Sequence, residues 1–198
     1  MTDRGIAKFR EWAARQHLGA LAIVIGLLVV ADLAPWQAAL RYERAAVEGG
    51  AVWRLVTCHL VHYDARHLAL NVAGLALLWL LYAPAARPRA WAVVAVASAL
   101  GAGLGLFLFE PQVGWYLGLS GVLHGAWAAA PLFLWRRARL EAVASGALLV
   151  LKLALEAWSG PLTSALDPAL PVIVAAHRCG ALGGLAAALA IRRRAAPL

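Results

Sequence analysis

Six apolar runs, at residues 18–34, 65–82, 90–109, 120–135, 142–158 and 171–191, divide the chain. Each approaches the roughly 20 residues that an α-helix needs to cross a bilayer. The punctuation between them is proline and glycine: Pro84 and Pro88, Glu110-Pro111, Gly160-Pro161 and Asp167-Pro168, residues that turn or end a helix. Residues 35–64 break the pattern. There Arg41, Glu43, Arg44, Glu48, Gly49-Gly50 and Trp53-Arg54 are mixed with apolar positions, in a stretch too long for a turn and too amphipathic for disorder. It is expected to lie at the outer interface, anchored by Trp36, Tyr42 and Trp53. The pattern predicts an all-α polytopic membrane protein. Residues 1–17 form an N-terminal tail, 18–191 a six-helix membrane domain with a long interfacial first loop, and 192–198 a basic C-terminal tail.

Composition strengthens this picture. Of 198 residues, 63% are hydrophobic and 14% charged, whereas roughly half apolar is the norm for a soluble domain. A signal peptide competes for the first run, since its flank is basic. Its exit, Asp32-Leu33-Ala34-Pro35-Trp36, is a poor cleavage site, so a retained helix is expected. Cys58 and Cys179 make neither a disulfide framework nor a CxxC pair.

The net charge of +8 is placed as membrane topology requires. Arg4, Lys8, Arg10, Arg15, Arg87, Arg89, Arg136, Arg137, Arg139 and Arg192–Arg194 fall in the tails and in the turns on one side. Arg41, Arg44, Arg54 and Arg66 fall on the other, all in the first loop. The positive-inside rule puts both termini in the cytoplasm. No stretch interleaves basic and aromatic residues as nucleic-acid binding would need.

Chemistry concentrates at Gly118-Leu119-Ser120-Gly121-Val122-Leu123-His124-Gly125. Helix four, from Ser120 to Trp135, spans roughly 24 Å against a hydrocarbon core of about 30 Å, so its outer end should be submerged. Irregular backbone at that depth must line a wet cavity or be buried in protein. Gly121 and Gly125 make one small-residue face, and Ala176, Gly180 and Gly184 make another, allowing close helix approach. His177, about six residues into helix six, and His67 and Asn71, in the first turns of helix two, fall at a depth similar to that of Ser120. Ser120 is then a candidate nucleophile and His177 its base. His67, Asn71 and the helix N-terminus at Ser120 can donate to an oxyanion.

Trp53-Arg54, the run His62-Tyr63-Asp64-Ala65-Arg66-His67-Leu68-Ala69-Leu70-Asn71, the Gly118-Leu119-Ser120-Gly121 turn, and Ala176-His177 with Gly180 and Gly184 resemble the rhomboid family of intramembrane serine proteases. The resemblance spans the six-helix core. It implies a Ser120–His177 dyad, an oxyanion hole of His67, Asn71 and the Ser120 N–H, and membrane-anchored protein substrates in a lipid bilayer, with no cofactor. Helix five and residues 159–170 would gate and cap the site. The Ser120-Gly121-Val122-Leu123-His124-Gly125 form and the short chain are similar to the rhombosortase branch. That branch implies a bacterial plasma membrane and exported substrates with a C-terminal Gly-Gly motif, a transmembrane helix and a basic end.

His124 stands where most rhomboids carry an aromatic ring that stacks on the catalytic histidine, and Arg178 after the base is unusual. His124 either replaces that ring or is the base itself; its side-by-side projection with Ser120 favours the first. His59 and His62 are expected to brace the first loop, His62 also near the pocket rim. Lys152 and Glu156, at i and i+4, form either a mutual pair facing a cavity or a substrate gate. No aspartate is evidently placed to orient His177, hence a dyad rather than a triad. Competing functions are a metal-dependent enzyme using the histidines, an inactive rhomboid-like helix binder, and a transporter. No H-E-x-x-H pattern supports the first, the intact Ser120 and His177 oppose the second, and no repeat supports the third.

Overall fold

The computed structural model describes residues 3–33, 35–161 and 172–195. In chain order the elements are α1 (Asp3–Leu33), α2 (Gln37–Leu40), β1 (Tyr42–Glu43), α3 (Arg44–Glu48), α4 (Arg54–Thr57), α5 (Ala65–Tyr82), α6 (Pro88–Phe109), β2 (Trp115–Tyr116), α7 (Ser120–Leu134), α8 (Arg139–Ser159) and α9 (Val174–Ala195). Among the described residues, three segments are long and apolar enough to cross a membrane: Ala65–Ala85, Pro88–Phe109 and Val174–Arg194. Leu18–Leu33 and Ser120–Leu134 are shorter apolar helices. α8 has the length but carries Arg139, Glu141, Lys152 and Glu156.

Helix boundaries follow from local chemistry. Asp64 caps α5, its Oδ1 accepting the His67 N–H at 2.7 Å, which satisfies a donor that a helix N-terminus otherwise leaves unpaired. Pro88 opens α6, where its missing N–H costs nothing. Arg44 closes the other end of α6, one guanidinium nitrogen reaching the carbonyls of Leu106, Phe107 and Glu110 at 2.9, 3.1 and 3.0 Å.

The centre of the molecule is the packing of α6, α7 and α9. A Cβ on Gly180 would collide with the Gly121 carbonyl, and one on Gly184 with the Gly125 carbonyl. The backbones of α7 and α9 therefore touch, as small-residue faces permit. Ser98 of α6 lies against Gly125 in the same layer, its hydroxyl turned back on the Val94 carbonyl at 2.6 Å.

The 35–64 connection is ordered by backbone pairing and arginines. β1 pairs antiparallel with β2, Tyr42 opposite Tyr116, and both tyrosines are buried with Cys58, Ala175 and Ala176. Arg54 bonds the carbonyls of Ala38 and Arg41 at 2.8 and 2.9 Å, and the Leu55 backbone lies against Gly103 of α6. The segment thus joins α6 to the turn before α7. Burial pushes the Cys58 thiol up to about 12, leaving it protonated and unreactive.

Candidate active site

Ser120 opens α7 because the chain turns sharply just before it. Gly118 has φ of +123°, a conformation that side chains rarely adopt. A Cβ there would also lie 2.6 Å from Cε1 and 2.9 Å from Nε2 of His67. The turn is held by its neighbours: the Gly118 N–H donates to the Cys58 carbonyl at 2.9 Å, and the Tyr116 hydroxyl donates to the Gly118 carbonyl at 3.0 Å. His59 places Nδ1 3.1 Å from that carbonyl and Nε2 3.1 Å from the Ala99 carbonyl. A neutral ring donates to one of them at a time. Burial pushes its pKa down, against the pull of the two carbonyls.

His177 projects from the first turn of α9, and its Nε2 lies 3.0 Å from Ser120 Oγ. The helix begins at Val174, so His177 is three residues in rather than about six; Pro171, the expected start, lies outside the described residues. On the far side of the ring, Nδ1 is 2.9 Å from Glu156 Oε2. Lys152 Nζ is 2.6 Å from Glu156 Oε1 and 3.5 Å from His177 Nδ1. The first contact is an ion pair one helical turn apart on α8. The carboxylate that meets His177 comes from α8; the sequence reads it with Lys152 as a mutual pair or a substrate gate, not as a partner of His177.

His124 lies stacked on His177, ring centroids 4.0 Å apart and planes 13° from parallel. Its Nδ1 is 2.7 Å from the Ser120 carbonyl. A carbonyl only accepts, so Nδ1 carries the proton and the ring is tethered to the first turn of α7. His62 binds the end of α1: its N–H and Nδ1 meet Asp32 Oδ1 and Oδ2 at 2.7 and 2.8 Å, and Gln37 Nε2 donates to its carbonyl. Burial lowers the His62 pKa, with Asp32 opposing. His62 meets His67 edge to face, centroids 5.2 Å apart. Asn71 is buried, and its Nδ2 donates to the His67 carbonyl at 3.1 Å, leaving a second N–H for another acceptor. Gly121 lets the Ala176 carbonyl, next to His177, approach α7. Arg178 meets Glu110, 3.9 Å off at a partly exposed edge.

Candidate ligand atoms of His124, Glu156 and His177 lie within 4.8 Å of one another, close enough to share a metal ion. The geometry is poor for one. Ring lone pairs lie in the ring planes, and stacked, nearly parallel rings aim them side by side rather than at a common point. An ammonium already sits against the carboxylate.

Comparison with known families adds one match: a family model described as Rhomboid domain covers residues 49–194. The comparison with curated proteins gives no match.

Proposed function

The chain belongs to the rhomboid family, and on that footing we propose that it is an intramembrane serine endopeptidase in which Ser120 attacks and His177 is the base. The observation that carries this reading is the 3.0 Å approach of Ser120 Oγ to His177 Nε2, between helices whose glycines bring their backbones into contact. As Oγ bonds to the scissile carbonyl carbon, its proton passes to Nε2. The carbonyl oxygen becomes an oxyanion, held by the Ser120 N–H with His67 and Asn71. Collapse expels the amine, which takes the proton from His177. Water then repeats the sequence on the acyl-enzyme and frees Ser120.

Six spans serve this chemistry: the apolar part of α1, and α5 to α9 excluding none. α7 has 15 residues, or about 22 Å at helical rise, against a core of about 30 Å. Ser120 is then sunk below the outer surface, and hydrolysis there requires water to reach it. Both termini face the cytoplasm of a bacterial plasma membrane. The substrates are exported proteins anchored by a transmembrane helix, including those with a C-terminal Gly-Gly tail.

Labelling by a serine-reactive fluorophosphonate in detergent tests the assignment. The parent protein is expected to label, and Ser120→Ala and His177→Ala to lose the label. Labelling retained by Ser120→Ala would move the nucleophile elsewhere and overturn the assignment.

A further inference from the structure

The proposed chemistry uses one edge of the His177 ring and leaves the other edge, with its carboxylate, without a task. We propose that Glu156 is a positioning residue that completes a Ser120–His177–Glu156 triad, with Lys152 holding the carboxylate's other oxygen. This rests on the Ser120–His177 reading above.

A neutral imidazole carries one N–H, and an ionised carboxylate only accepts. Nδ1 is 2.9 Å from Glu156 Oε2 and 3.5 Å from Lys152 Nζ, so the closer partner is the acceptor and the proton belongs on Nδ1. That leaves the lone pair on Nε2, which faces Ser120 Oγ. The opposite tautomer would turn an N–H towards the hydroxyl and present no base. When His177 takes the serine proton it becomes an imidazolium, and the adjacent carboxylate stabilises that charge.

A purely structural role would have Glu156 serve Lys152 alone. The two oxygens argue otherwise. Oε1 faces Lys152 and Oε2 faces His177, so the pairing with Lys152 does not require the second contact. The Glu156 side chain is 1% exposed and that of His177 is 4% exposed, against 22% for Lys152. A carboxylate this deeply buried is costly to keep unless it is paired and hydrogen-bonded, and it has one partner on each oxygen. His124 covers one face of the same ring, so the imidazole is held on an edge by Glu156 and on a face by His124.

Two measurements on the full chain in detergent test the triad. In the first, ¹⁵N NMR of histidine-labelled parent protein reads the His177 tautomer, with His177→Ala identifying the signal. Protonated Nδ1 is expected; protonated Nε2 in the neutral ring overturns the proposal. In the second, fluorophosphonate labelling rates are compared for the parent, Glu156→Gln, Lys152→Met and the double variant. Glu156→Gln is expected to slow labelling at least about a hundredfold, Lys152→Met by less than tenfold, and the double variant to stay as slow as Glu156→Gln. A double variant restored to the parent rate, or Glu156→Gln labelling like the parent, shows that Glu156 only neutralises Lys152 and overturns the triad. A parent that does not label, or a Ser120→Ala variant that does, fails at the earlier step, and the triad falls with it.

Discussion

Five histidines near the site show how one residue type is given different tasks by its neighbours. His59 meets two carbonyls, His62 a carboxylate of α1, and His124 the carbonyl of Ser120, while His177 alone faces a hydroxyl on one edge and a carboxylate on the other. His67 packs against Gly118. Ser120, His177, His67 and Asn71 were legible as candidates because each interrupts an apolar run with a polar group, and such groups are costly in lipid. Glu156 was legible only together with Lys152, as a pair or a substrate gate, since spacing along one helix reveals partners on that helix and not across to another. Gly118 makes the sharpest demand on a single residue. Gly118→Ala puts a Cβ at positive φ and into the His67 ring. It is expected to destabilise by about 1–3 kcal/mol from backbone strain and to slow fluorophosphonate labelling at least about tenfold. Thermal unfolding in detergent and labelling rates check the two effects separately.

At the scale of elements, the contact between α7 and α9 sets the distance between Ser120 and His177. Gly180→Ala would drive a Cβ into the Gly121 carbonyl, and backbone cannot step aside as a flexible side chain can. It is expected to destabilise by about 1–3 kcal/mol. Gly26→Ala on α1 meets nothing within 4 Å and should stay within about 1 kcal/mol of the parent, on the stabilising side. Melting temperatures of the two variants in the same detergent should therefore move in opposite directions; equal losses would mean that the close crossing is not what Gly180 provides. Helix ends were less legible than helix centres. α8 starts at Arg139 rather than near residue 142, because a basic residue at a membrane edge does not stop hydrogen bonding along the backbone. α9 starts at Val174, just after the Ala176 N–H bonds back to the Ile173 carbonyl, a detail of hydrogen bonding that hydropathy does not record.

For the molecule as a whole, the distribution of arginines makes its own prediction. With six spans, a fluorescent-protein fusion at the C-terminus should fold in the cytoplasm of a bacterial host. An alkaline phosphatase inserted after Gly160 should be active outside it. A C-terminal phosphatase fusion that is active instead would place that tail outside and overturn the proposed topology. The 35–64 connection belongs to this scale too. Its amphipathic character was plain from the chain, but its joining of β1 to β2 and of Arg44 to the end of α6 ties together segments more than 60 residues apart.

The amino-acid sequence by itself determined the apolar runs, the small-residue faces and the polar groups placed among them. These follow from transfer to lipid and side-chain size, which are summed along a segment without reference to its neighbours. Only the tertiary structure decided which polar groups meet. The rotation and crossing of α7, α8 and α9 bring Ser120, Glu156 and His177 onto one ring, and that geometry is a property of helices packed together rather than of any one of them.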